Sequence, residues 1–136
     1  RAKNAESQGE RASASFANEQ NADLVISIAM DKYKNDLGQG VASYYFGHEF
    51  SRSATGMQLA ELIQEELTNH LPLADNQAHG KTWDLLRLTR MPSVRTEIGF
   101  STNPNDAALL ADEKVRDQIA AHLESAISRL FTPRIG

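Results

Sequence analysis

The sequence predicts an α/β domain with a mainly parallel central sheet flanked by helices, and three observations point there. Ala22 to Ala29 is a short run rich in β-branched apolar residues, the pattern of a strand buried on both faces. Met91 to Pro104 holds an alternating stretch that leads to one acid, Glu97, and then to Gly99, Phe100 and a turn-forming Asn103-Pro104. Two longer stretches, Met57 to Leu71 and Val115 to Leu130, carry apolar residues at helical spacing. Strand and helix signals alternate along the chain, which is the α/β order.

Taken in order, Arg1 to Gly9 is polar and reads as a loop or as the cut end of a longer protein. Glu10 to Asn21 suits a short amphipathic helix with Ala12, Phe16 and Ala17 on its inner face. After the first strand, Met30 to Gly40 reads as a loop, and Gly40 to Phe46 is a second strand by β-propensity. Ser51 or Ser53 caps a helix that runs to about His70 and is stopped by Pro72. Its buried face comprises Met57, Ala60, Ile63 or Gln64, Leu67 and Leu71. A polar loop follows, then a strand over Trp83 to Leu88 and a turn at Thr89 to Pro92. In the next strand Val94, Thr96 and Ile98 share one face while Arg95 and Glu97 share the other. Asn103-Pro104 caps a short helix with Pro at its first position. Asp112 opens the last helix, with Val115, Ile119, Leu123, Ala126 or Ile127, and Leu130 inward, and Pro133 closing it.

A chain of 136 residues has room for one small domain. The net charge of −4 argues against nucleic-acid binding, which needs clustered Lys and Arg for phosphates. No apolar run approaches the roughly 20 residues of a membrane span. With no cysteine there is no disulfide, no thiolate zinc site and no thiol nucleophile. Localisation stays open between cell envelope and cytoplasm, since no signal peptide is visible in this stretch.

Among the polar residues, Glu97 at a strand end is either a solvated edge acid or a catalytic acid/base. His48 follows the second strand and His79 precedes Gly80 in a loop; each either lines a site or is an ordinary loop histidine. His70 and His122 fall within helices and read as ordinary surface residues. Lys81, Arg87, Arg90 and Arg95 gather before Glu97 with few acids between them, as an anion-binding group or as a solvated face. Ser27 lacks the glycine context of a hydrolase nucleophile, and there is no phosphate-binding glycine loop.

Several segments together resemble the zinc-dependent N-acetylmuramoyl-L-alanine amidases of the Amidase_3 type. They are Arg11-Ala12 with Phe16-Ala17-Asn18, Ala22 to Ile28, Gly40 to Phe46, Leu59-Ala60 with Ile63-Gln64, and Leu85-Leu86-Arg87. The most specific is Pro92 to Asn103, followed by Asp106 and Leu110. The resemblance runs from about Arg11 to Leu130. Tyr44 to Glu49 and His79 to Leu86 look most like an actinobacterial subgroup, which includes an amidase-like regulator of peptidoglycan precursor synthesis.

The resemblance implies hydrolysis of the amide between N-acetylmuramic acid and L-alanine, with one zinc held by His, Glu and His. It places the family's catalytic Glu at Glu97. It also implies a preceding strand, helix and strand, so that residues 1–136 form the C-terminal part of a single amidase-like domain. The first two zinc ligands belong to that preceding part. The third should follow Ser-Ile in the first strand of this chain, where the family usually reads Ser-Ile-His-Ala-Asn. Here the sequence is Ser27-Ile28-Ala29-Met30-Asp31, and the Ala29 methyl group cannot ligate a metal. Asp31 and His48 are the conceivable substitutes. The expectation is therefore an amidase-fold domain of peptidoglycan metabolism with weak or absent zinc. It would bind peptidoglycan, a precursor or a cell-wall synthesis protein, with Arg87, Arg95, His48 and His79 as contact residues. The alternative is a working zinc amidase.

Overall fold

The structure is a computed structural model that describes residues 2–132, with side chains from residue 8 onward. Helix α1 (Ala2–Glu19) leads into strand β1 (Val25–Asp31), and β2 (Val41–His48) and a two-residue β3 (Ser51–Arg52) follow. Helix α2 (Ala54–His70), β4 (Asp75–Lys81), α3 (Asp84–Leu88), β5 (Ser93–Phe100), α4 (Pro104–Ala111) and α5 (Glu113–Phe131) complete the order. The α/β class holds, with helices on both faces of one sheet.

Within the sheet the pairings are mixed rather than mainly parallel, because the central pair β5 and β2 is antiparallel. β1 runs parallel to β5 and β2 parallel to β4, whereas β2 is antiparallel to both β5 and β3. Across the main sheet the strands lie β1, β5, β2, β4, so β5 and β2 are central. The β5 pleat follows the expected alternation. Val94, Thr96 and Ile98 are buried, and Arg95 and Glu97 are half-buried on the opposite face.

Helices α2 and α5 cover the Thr96 face. Leu59, Ile63 and Leu67 of α2 are fully buried there, each contributing roughly 1.5–3 kcal/mol by leaving water. Ile119, Leu123 and Ala126 of α5 meet them, with Val115, Ile127 and Leu130 packed at the margin. Both Ile63 and Gln64 point inward. Gln64 Nε2 donates to the Val41 carbonyl at 2.9 Å and to Asp75 at 2.8 Å, and its Oε1 accepts from Ser43 Oγ at 2.8 Å. Ser43 also meets Thr96 at 3.1 Å, so α2, β2, β4 and β5 share one satisfied polar cluster inside the core.

The caps match the sequence. Ser53, not Ser51, caps α2 by accepting from Gly56 N–H at 3.0 Å, because Ser51 is held in β3. Asn103 accepts from Asn105 and Asp106 to start α4, and Asp112 accepts from Lys114 to start α5. Pro133, expected to close α5, lies outside the described residues.

Five expectations change. Ala2 to Gly9, within the stretch expected as a loop, is helical, since α1 begins at Ala2. The inner face of α1 is Ala14 and Ala17, while Phe16 is 64% exposed; small side chains let α1 approach α3 closely. Among the described residues β1 is an edge strand paired only with β5, which leaves Ile28 and Met30 exposed rather than buried. Asp75–Lys81 is a strand despite its polarity, because pairing with β2 rather than side-chain burial holds an edge strand. Asp84–Leu88 is a one-turn helix, not a strand, and its adjacent Leu85 and Leu86 are both buried. Among the described residues no helix is long and apolar enough to cross a membrane.

Two glycines close the sheet next to Glu97. Gly99 (φ 79°) donates to the carbonyl of Gly40 (φ 99°) at 2.9 Å, and Asp106 accepts from Gly40 and Phe100 N–H at 2.8 and 3.0 Å. A Cβ at Gly40 would stand 2.3 Å from the Ala74 carbonyl oxygen. The left-handed backbone alone costs an L side chain about 1–2 kcal/mol. Gly40→Ala is therefore expected to lower stability by at least about 2 kcal/mol in denaturant titration. Gly9→Ala, in helix α1 with open space around it, is expected to raise stability by about 0.5–1 kcal/mol. Equal effects at both positions would contradict this reading of Gly40.

Candidate functional site

The pleat of β5 puts Glu97 in a row with Ala29 of β1 on one side and Ala42 of β2 on the other. Two methyl groups therefore flank the carboxylate. One pleat back along the same face, Ser27, Arg95, Tyr44 and His79 form the next row across all four strands. Arg95 Nε donates to Glu97 Oε1 at 3.2 Å, and the Arg95 Nη1 lies 3.6 Å from Glu10 of α1. The Glu97 side chain is 14% exposed and that of Arg95 is 27% exposed.

Asp31 is the other acid at this end of β1, two residues beyond Ala29 and on the same face. Its Oδ1 accepts from Lys32 N–H at 2.7 Å, and its carboxyl shares a hydrogen bond with Glu97. Burial, then the hydrogen bond and negative charge of Asp31, push Glu97 up to about 7 against the opposing pull of Arg95. A carboxyl with that proton affinity takes and returns protons near neutral pH. Burial, followed by the charges of Glu97 and Asp31, also raises Tyr44, which keeps its phenol proton as a donor.

An aromatic wall stands beside the carboxylates. Trp83, at the N-cap of α3, lies 4.6 Å from Tyr44 between ring centroids, and Tyr44 lies 5.8 Å from His79. Lys81 and Arg95 approach the Trp83 ring at 5.8 and 5.9 Å. The single Trp of the chain was the available signal for this wall, hidden because its segment reads as a strand.

The expected site residues separate into two groups. Ala29, Glu97 and Arg95 come together, with His79 in the adjoining row, where its Nε2 donates to the Asn76 carbonyl at 2.6 Å. His48 does not join them. β2 runs antiparallel to β5, so His48 sits six residues from Ala42, roughly 20 Å along the strand. Its Nδ1 accepts from Phe50 N–H at 3.2 Å. Arg87 is committed to Asp84 at 2.6 Å, and Arg11 binds the same carboxylate at 3.1 Å, so this acid clasps α1 to α3.

The zinc set implied by the family resemblance does not fit the residues around Glu97. Its position in this chain is Ala29, without a lone pair, and His48 is too far away to replace it. Among the described residues the one cluster with metal-ligand character, Glu66, His70 and His122, lies on the α2/α5 side of the sheet, opposite Glu97. His70 and His122 are thus not independent surface residues, since two helices bring them together.

Protonation of Glu97 has a stability signature. Its folded affinity (about 7) exceeds the ordinary value (4.5), so between these pH values the folded chain binds more protons than the unfolded one. Stability from this group is then lost as pH rises through that window, and the loss is complete above it. In thermal or denaturant unfolding, Glu97→Gln is expected to gain roughly 2 kcal/mol relative to the parent on going from pH 5 to pH 8. Parallel pH profiles for the two proteins would rule this out.

Comparison with known proteins places this geometry in a family. The family profile described as N-acetylmuramoyl-L-alanine amidase (Amidase_3) matches residues 2–129. N-acetylmuramoyl-L-alanine amidase CwlM of Mycobacterium tuberculosis is 44% identical over 119 residues, covering 87% of this chain and 29% of that protein. The germination-specific N-acetylmuramoyl-L-alanine amidase of Bacillus subtilis is 31% identical over 120 residues, 86% of this chain and 48% of that protein. The chain thus spans less than half the length of these curated relatives. The crystal structure of N-acetylmuramoyl-L-alanine amidase from Clostridium difficile 630 superposes with a TM-score of 0.81 at 24% identity, over 88% of this chain and 63% of that one. With its sheet, its caps and its family match in agreement over nearly the whole length, the chain belongs to the N-acetylmuramoyl-L-alanine amidase (Amidase_3) family.

Proposed function

We propose that this chain is the C-terminal part of an amidase domain that binds peptidoglycan, or a precursor of it, without cutting it, and so regulates cell-wall synthesis. The observation that carries this reading is Ala29. It pairs in register with Glu97, at the place where the family resemblance puts a zinc-ligating His. The nearest group able to hold a cation there is Asp31, which is already bound to Glu97. Two carboxyls without an imidazole make a poor zinc site, because zinc at catalytic centres takes three protein ligands rich in His.

The wall next to Glu97 suits a ligand of the peptidoglycan class. Trp83 and Tyr44 offer flat apolar surface for a sugar ring, and Lys81 and Arg95 offer charge for the carboxylates of a stem peptide. In the same reading Glu97 shapes the groove and donates a hydrogen bond when protonated. A cell-wall synthesis protein that docks on this face is the partner this role calls for, in the envelope or on its cytoplasmic side.

The proton affinity of Glu97 favours a second reading, an active zinc amidase whose ligands come from the rest of its domain. Muropeptide titration and stem-peptide release on the full-length protein separate the two. The binding reading expects muropeptide affinity, weakened about tenfold or more in Trp83→Ala, with no release of stem peptide. Turnover that is lost in Glu97→Gln, together with a zinc equivalent retained in His122→Gln, would overturn it in favour of the enzyme.

The domain boundary is part of the proposal. The free edge of β1 is bordered on one face by an apolar groove of about 370 Å³ lined by Ile28, Met30, Leu110, Ile119 and Leu123. On the other face Phe16 of α1, with Val25 and Ser27 of β1, borders a second groove. An upstream strand, helix and strand of the same domain would cover both and complete the sheet. Residues 1–136 expressed alone are then expected to aggregate or to bind a hydrophobic dye strongly. A stable, dye-silent monomer would sink the boundary.

A further inference from the structure

We propose a divalent transition-metal site formed by Glu66, His70 and His122, which ties the end of α2 to the middle of α5. It is independent of the Ala29–Glu97 face, from which the whole sheet separates it. Glu66 and His70 stand one turn apart on α2, and His122 meets them from α5. One donor atom from each lies within 4.8 Å of the other two. Ligands on one tetrahedral zinc stand roughly 3–3.5 Å apart, so side-chain rotation of about an ångström closes the set.

The neighbouring contacts already orient each ligand. His70 Nδ1 lies 2.8 Å from the Glu66 main-chain carbonyl. A carbonyl only accepts, so Nδ1 carries the hydrogen, and the neutral ring keeps its lone pair on Nε2 for a metal. Arg129 holds Glu66 Oε2 at 3.0 Å and leaves Oε1 toward His122 Nδ1 at 3.4 Å. That last distance is long for a hydrogen bond between these atoms. The two imidazoles stack with centroids 4.2 Å apart and 18° between their planes, so each ring limits the other's rotation. Ordering is done in advance. The Glu66 and His122 side chains are 12% and 22% exposed, and the exposed His70 leaves the site open to an entering ion.

Two imidazoles and one carboxylate form a borderline donor set that suits Zn²⁺, Ni²⁺ or Cu²⁺ and not Ca²⁺ or Mg²⁺. Water would complete the coordination. The two helices that share the site also share the core beneath it, so a bound ion resists their separation.

The test is titration of EDTA-stripped full-length protein with Zn²⁺, and with Co²⁺ for its visible absorption. The expected result is one equivalent bound at micromolar or tighter concentration, with a rise in the unfolding temperature. His70→Gln and His122→Gln are each expected to weaken that equivalent at least tenfold and remove the rise, while Glu97→Gln leaves both in place. Binding only in the millimolar range, or binding unchanged in both histidine variants, would overturn the site. Should either variant fail to fold, Zn²⁺-dependent shifts of the His70 and His122 ring resonances in the parent protein decide. Their absence at one equivalent rejects the proposal.

Discussion

The two-residue period of β5 is the constraint on which the rest of the molecule depends. It sends Thr96 into the core, where Ser43 and Gln64 complete its hydrogen bonding, and sends Glu97 to the opposite face. A slip of one residue would bury a charged pair, Arg95 and Glu97, against Leu59 and Ile63 and would expose Val94 and Ile98. The Gln64 cluster blocks such a slip. Its donors and acceptors match only when Ser43 stands opposite Thr96, and a mismatch leaves buried polar atoms unpaired at about 1–3 kcal/mol each. Among the described residues no buried side-chain polar atom lacks a partner.

The same register defines the chemistry of the far face. With Thr96 inward, Ala29 and Ala42 must flank Glu97, and Tyr44 must flank Arg95. Burial on this face, then the hydrogen bond and negative charge of Asp31, raise the proton affinity of Glu97 although Arg95 touches it. A histidine at position 29 would reverse part of that logic by offering a donor and a metal ligand. On the other side of the sheet the chemistry is complementary, with two imidazoles and a single carboxylate held between helices.

Charge and shape also divide by face and edge. The free edge of β1 is apolar on both sides, through Ile28 and Met30 and through Phe16. The edge at β4 is polar, carrying Asn76, Gln77 and His79. An edge strand meant to stay free is blunted by polar residues and irregular backbone, as β4 is by its bulge and by Gln77 at φ 67°. β1 has no such protection, and the proposed completion of the sheet on that side rests on this contrast.

Much of this was legible in the sequence by itself. The α/β class, the β5 alternation, part of the inner face of α2, the inner face of α5, the Asn103 and Asp112 caps and the position of Glu97 all follow from local periodicity and capping chemistry. These are short-range effects that each segment carries alone. The family resemblance was legible as well. What tertiary structure decided depends on partners distant in the chain. β4 exists because β2 supplies its hydrogen bonds, and α3 is a helix because Leu85 and Leu86 both find burial beside α1 and the sheet. β1 is exposed because nothing among the described residues pairs with its outer edge. His48 leaves the site because β2 runs antiparallel to β5, and strand direction is invisible to composition. His122 meets His70 across 52 positions only because α2 and α5 pack on one face, and no local pattern reports that meeting.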